Sequence, residues 1–174
     1  MEEGLLILRV VVGLLFVGHG AQKLFGVLGG HGVKGTAGFF EAIGLRPGRL
    51  HATAAGFNEF AGGALLALGL LTPLAAVLLI ATMTAAIVTV HAPKGPWASD
   101  GGYEYNLVLA AVAFAVTAVG SGKLSFDSAL GLHDAGIGWA LAALAIGLIG
   151  GLGAVASGRL QSRQAGGSQA RTAT

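Results

Sequence analysis

Three side chains able to handle a polar ligand stand on one helix face: His19, Gln22 and Lys23, spaced three and four residues apart. An imidazole, an amide and an ammonium together can donate hydrogen bonds to carbonyl oxygens and move a proton. A plainer use exists for each. Lys23 can snorkel to a membrane surface, and His19 can bond a neighbouring carbonyl. Further on, Asn58, Glu59, His91, Glu104 and Tyr105 add two carboxylates, an amide, a second imidazole and a phenol. Arg9 and Asp127 complete the list of charged groups that fall in or beside apolar sequence.

These residues sit in a chain of 174 residues that is 54% hydrophobic and only 10% charged. Soluble domains carry about 25% charged residues, so this composition specifies an integral membrane protein. The first apolar run, Gly4 to Gly26, is long enough to cross a bilayer, because about 20 helical residues cover the ~30 Å hydrocarbon core. Its acidic start, Glu2-Glu3, is unlike a secretory signal, so the run is expected to persist in the mature chain. A glycine-rich loop follows to about Leu50, holding an amphipathic piece, Thr36 to Ile43, whose Phe39 and Phe40 are expected to anchor at the interface. The long apolar stretch from Ala52 breaks at Thr72-Pro73. It is read as a hairpin of two spans, about 52–71 and 74–91. A fourth span covers about 103–119 and a fifth about 137–156, with Trp97 between spans three and four as an interface anchor. Residues 159–174 have no apolar periodicity and are expected to form a disordered tail. The expected fold is all-α: a four-helix membrane domain over residues 1–135, an added helix over 136–158, then the tail.

Ionisable groups within a span cost roughly 2.5–3.5 kcal/mol each, so they face a bundle interior and have partners. Five spans place Lys34, Arg46, Arg49, Lys94, Arg159, Arg163 and Arg171 on one side and Lys123 alone on the other. The positive-inside rule then predicts an outside N-terminus and a cytoplasmic C-terminus. Placed by depth, His19, Gln22, Lys23, Asn58, Glu59, His91, Glu104 and Tyr105 all fall in the cytoplasmic leaflet. The expectation is one polar pocket among spans one to four, with Glu59 as counter-charge to Lys23 or to protonated His19. Arg9 lies about 20 Å away along the first helix. It is expected to form a structural ion pair with Asp127. The threonines of span three, Thr82, Thr84 and Thr89, are expected to bond back to their own helix carbonyls.

Four pieces of the chain resemble the DoxX family of small bacterial membrane proteins. They are RVVVGLLFVGHGAQKLFG at Arg9–Gly26, NEFAGGALLALGLLTPLAA at Asn58–Ala76, GGYEYNLVLAA at Gly101–Ala111 and GSGKLSFDSALG at Gly120–Gly131. The resemblance implies a four-helix membrane bundle that serves as a subunit in redox metabolism, of the thiosulfate:quinone oxidoreductase or thiol- and oxidative-stress kind. It places family motif positions on His19, Gly20, Lys23 and Leu24, on Glu59, Gly62 and Gly63, and on Gly102, Glu104 and Tyr105. The fifth span and the tail lie outside it.

Two functions are open. In the first, the pocket holds a quinone in the plasma membrane. His19, Gln22, Lys23, Asn58, His91 and Tyr105 contact it, and His19, Lys23, Glu59 and Glu104 supply the proton chemistry. Partner redox proteins at the membrane then supply the electrons. The chain has no cysteine, which excludes a thiol relay of its own, and no flavin motif or metal-ligand spacing, so no bound flavin or metal is expected. In the second, the 31 glycines pack against helices of another protein and the chain is a non-catalytic assembly factor. A permease is disfavoured because no repeat of broken helices is visible. A net charge of only +2 gives no nucleic-acid signature.

Overall fold

The computed structural model describes residues 2–172, the side chains of residues 166–172 excepted. All regular structure is helical among them. The order is α1 (Glu2–Phe25), α2 (Gly32–Ala42), α3 (Gly48–Leu68), α4 (Thr72–Ala86), α5 (Glu104–Val119), α6 (Phe126–Ala129) and α7 (Ile137–Thr172). A π turn, Ile87–His91, and a 3-10 turn, Ala92–Lys94, extend α4. Three segments are long and apolar enough to cross a membrane: Glu2–Phe25, Thr72–Lys94 and Ile137–Ala165. Helix α5 is apolar but shorter, and α3 carries His51, Asn58 and Glu59 along its length. Leucine, isoleucine and valine are exposed along the outside, as at Ile7, Val11, Leu14, Leu107, Leu141 and Ile149. The core within is small and close-packed, built on Phe16, Leu66, Ala75, Leu79, Ile80, Ala113 and Val116. An apolar exterior around a tight interior is what a bilayer solvates.

Backbone contact sets the central pair. Gly13 and Gly20 are two turns apart on α1, as Gly56 and Gly63 are on α3. The helices run antiparallel, so Gly13 meets Gly63 and Gly20 meets Gly56. A Cβ at Gly13 would lie 2.5 Å from the Gly63 carbonyl, and one at Gly63 would lie 2.6 Å from that of Gly13. Missing side chains at these positions let the helices touch main chain to main chain.

The hairpin between α3 and α4 forms as expected. Gly69 closes α3 in the left-handed region (φ 62°), and Pro73 falls in the first turn of α4, where its missing N–H costs nothing. Leu71 and Thr72 then need an acceptor for the free N–H groups at the head of α4. Asp127 provides it from α6: its carboxylate accepts Leu71 N–H at 2.7 Å, Thr72 N–H at 3.1 Å and the Thr72 hydroxyl at 2.6 Å. Arg9, fully buried, donates through Nη2 to the Leu124 carbonyl at 2.6 Å. The expected pairing of Arg9 with Asp127 is not a direct one, although the Asp127 charge still acts on Arg9. Arg9 and Asp127 make no salt bridge with each other among the described residues. The helix N-terminus claims the carboxylate because its partial positive charge and free donors are nearer. Both residues still pin the same segment, 121–130, to the bundle.

Helix α7 also departs from expectation. It runs past the predicted end at Ala156 and through most of the stretch 159–174 expected to be disordered; residues 173–174 lie outside the described residues. Extending an existing helix adds one bond per residue ordered, and Arg, Gln and Ala favour it. Its buried seam is Ala140, Ala143, Gly147, Gly151, Val155 and Gly158, at spacings of three and four. Through it α7 packs on α4 and α5.

Candidate functional site

One face of α3 sets out the site. His51, Ala54, Ala55, Asn58 and Glu59 follow a three- and four-residue spacing, so they form a stripe along one side of the helix. The stripe borders a cavity of about 550 Å3. From α1 come Phe16, His19 and Lys23, and from α4 with its π turn Thr82, Met83, Thr89 and His91. From α5 come Tyr105 and Asn106, and from α7 Gly150, Gly151, Ala154 and Val155.

Glu59 is buried, 4% exposed, and its Oε2 lies 2.5 Å from Nζ of Lys23. The close approach of α1 and α3 explains the meeting. The Lys23 stem packs on Gly56, 3.1 Å from where a Cβ there would stand, and Glu59 lies one turn further along α3, within reach of the lysine side chain. The lysine is about a quarter exposed, the carboxylate hardly at all. His19, one turn before Lys23, is exposed at the cavity wall. Asn58 is half-buried beside Glu59.

His91 ends the π turn with its Nδ1 2.7 Å from the Gly101 carbonyl. A carbonyl only accepts, so Nδ1 carries the proton and Nε2 is the acceptor of the neutral ring. The π turn has a wider bore than the α-helix before it, and such turns recur at functional sites. Thr82 and Thr89 donate to the carbonyls of Leu78 and Ala85, as expected of threonines inside a span. Asn106 is buried, with Nδ2 3.4 Å from the sulfur of Met83.

The amino-acid sequence matches the DoxX family over residues 4–92, from α1 through the π turn. It is also 36% identical over 126 residues to a Bacillus subtilis (strain 168) protein named "Putative oxidoreductase CatD". That alignment covers 72% of this chain and 86% of the relative. The chain belongs to the DoxX family. No solved structure matches it.

Of the residues predicted for the site of this DoxX protein, His19, Lys23, Asn58, Glu59, His91 and Tyr105 border the cavity. Gln22 and Glu104 do not. Gln22 turns towards the loop and donates Nε2–H to the Leu28 carbonyl at 2.9 Å, bracing the chain where it leaves α1. Glu104 accepts the Ala98 N–H at 2.8 Å and holds the turn before α5. Each sits next to a backbone group that its own local turn leaves unpaired, and that partner wins over a distant pocket. Phe39 and Phe40, expected only as surface anchors, border the cavity from α2, their ring centroids 5.9 Å apart.

Three contributors went unforeseen: His51, Asn106 and the wall from α7. His51 is buried beside Leu45 and Gly158. Its place seven residues before Asn58 on the α3 stripe is a signal that could have found it. For α7, the small residues at three- and four-residue spacing mark a packed face rather than a lone anchor.

Proposed function

We propose that this DoxX chain is a membrane subunit of a quinone-linked oxidoreductase and that its cavity receives the quinone head group. One observation carries the reading: the Lys23–Glu59 ion pair stands at the wall of a cavity of about 550 Å3 that is otherwise lined largely by alanine, glycine and aromatic residues. An ion pair kept only for register calls for no open space beside it. Here the pair faces space of the size small-molecule sites use, about 300–1,000 Å3, with few polar groups in an apolar wall.

A quinone, when bound, accepts two electrons and two protons. Lys23 donates a hydrogen bond to a carbonyl oxygen, its ammonium held in place by Glu59. His19, next along the same wall, donates to the head group or passes a proton to it. Asn58 and Tyr105 orient the ring through an amide and a phenol. His91, its Nδ1 held by the Gly101 carbonyl, would take up a proton at Nε2 and pass it to the head group. The apolar remainder of the wall excludes water and strengthens each of these interactions. Electrons come from a partner redox protein or from a sulfur-bearing substrate, since the chain has no cysteine to relay them. The relative's name, an oxidoreductase, supports redox chemistry of this kind. We place the chain in the bacterial plasma membrane with its N-terminus outside and the cavity in the cytoplasmic leaflet, on the seven-to-one bias of basic residues.

The assembly-factor reading loses ground to the same glycines that suggested it. Gly13, Gly20, Gly56, Gly63, Gly147 and Gly151 are occupied by contacts inside the chain. The deciding measurement is the quinone content of protein purified from its own membranes in mild detergent, by mass spectrometry, beside His19→Ala. Near-stoichiometric quinone that disappears in the variant is expected. No quinone in either protein would sink the proposal and turn attention to co-purifying proteins.

A further inference from the structure

Resting on the quinone reading, we infer that the ligand's apolar tail leaves the cavity sideways, through a slot between α3 and α7, and that Gly150 and Ala154 set the bore of that slot. The ligand class is a membrane-dissolved molecule with a small polar head and a flexible isoprenoid or alkyl tail.

The polar groups of the cavity are unevenly distributed. On α3, Asn58 and Glu59 lie at one end of the stripe, and Ala54 and Ala55 continue it. The facing residues on α7 are Gly150, Gly151, Ala154 and Val155, and α4 between them offers Ala81 and Ala85. These residues carry no side-chain donor or acceptor and none is larger than valine, while His51, one turn beyond Ala54, bounds them at the far end. It can hold methylenes but cannot fix a head group. Helices α3 and α7 each pack on α4 yet barely touch each other. Their meeting point is near Gly158, where His51 and Leu45 close in. Ala54, Gly150 and Ala154 are exposed although they lie within helices otherwise bordered by apolar surface. The cavity is thus continuous with an apolar opening at the depth of the hydrocarbon, where a tail remains solvated by lipid and the head reaches the ion pair.

The two neighbouring glycines of α7 differ in a way that permits a test. A Cβ at Gly151 would collide with α4, 2.8 Å from Thr84 Cβ, so Gly151 serves packing. A Cβ at Gly150 would meet only Ala81 Cβ, at an ordinary 3.7 Å. A side chain there can be accommodated by the fold and would fill the slot. At Gly153 a Cβ meets nothing within 4 Å, and Gly153 does not border the cavity.

The experiment uses the full chain in lipid nanodiscs, titrated with a quinone bearing a single isoprene unit and with a full-length one. The proteins are wild type, Gly150→Leu, Ala154→Leu and the control Gly153→Leu. Wild type and the control are expected to bind both quinones. The two plugged variants are expected to keep the short-tailed quinone and to lose about tenfold or more in affinity for the long-tailed one, about 1.4 kcal/mol, because its tail has no way out of the cavity. Thermal unfolding matched to Gly153→Leu shows that the plugs leave the fold intact. Unchanged binding of the long-tailed quinone in both plugged variants would overturn the inference while leaving the quinone site standing. Loss of both quinones in them would also overturn it, since the slot would then house the head. Wild type that binds neither removes the quinone reading, and the slot with it.

Discussion

The bundle buries charge at both ends, and the two ends treat it in opposite ways. At one end Arg9 is enclosed on every side and donates to Leu124, while Asp127 spends its carboxylate on the three donors at the head of α4. A Cβ at Gly69 would overlap the Arg9 guanidinium, so not even a methyl group has room there. At the other end Lys23 and Glu59 satisfy each other, and the space beside them is open and lined by His19, Asn58 and His91. The same residue types make a rivet at one end and a receptacle at the other. What separates them is how much backbone they bond and how much room is left around them. An ionisable residue within a membrane span marks a functional site only when the second condition is met.

The contrast can be broken by experiment. The largest effect is expected from Asp127→Ala, which frees the N–H groups of Leu71 and Thr72 and strips an anion from a helix N-terminus. Stability should fall by about 3 kcal/mol or more, read as a lower midpoint of thermal unfolding in detergent. On the quinone proposal, protein that does fold should bind quinone as the wild type does. Gly69→Ala comes next: it forces a left-handed φ on a residue with a Cβ and crowds Arg9, for a loss of about 2 kcal/mol or more by the same assay. Glu59→Gln should reverse the pattern. It leaves the volume unchanged and costs only about 1–2 kcal/mol, yet quinone should vanish from the purified protein. A Glu59→Gln protein with full quinone content would make the inner pair a second rivet. The smallest effects belong to Gln22→Ala and Glu104→Gln, each removing one exposed hydrogen bond worth about 1 kcal/mol or less, with quinone content unchanged. If either emptied the cavity, the boundary drawn around the site would be wrong.

Much of this was legible in the sequence. Thr72-Pro73 marked the hairpin, because proline fits the first helical turn and little else there. The depth of each polar residue along its span collected Lys23, Glu59, His19, Asn58, His91 and Tyr105, since helical rise converts residue number into height. Height is only one coordinate. Rotation about the helix axis and local competition for hydrogen bonds are the others, and they removed Gln22 and Glu104. A direct Arg9–Asp127 bridge is missing among the described residues for a related reason. Which segment will fill the free donors of a helix terminus is invisible until the neighbouring segment is placed. The glycine pairs seven residues apart on α1 and α3 held usable information about their close packing. The role of α7 did not follow from its composition, because a small-residue seam shows that a helix packs without showing against what.

The glycine clasp between α1 and α3 has a mechanical side. Two helices in main-chain contact cannot be drawn closer and part only by exposing backbone to each other's absence, so they flex as one beam. Between α3 and α7 no such clasp exists. When the surrounding bilayer thins or thickens, the strain of hydrophobic mismatch is therefore taken up on the compliant side. Lys23 and Glu59 stand on the two clasped helices, whereas Gly150 stands on the helix that α3 barely touches.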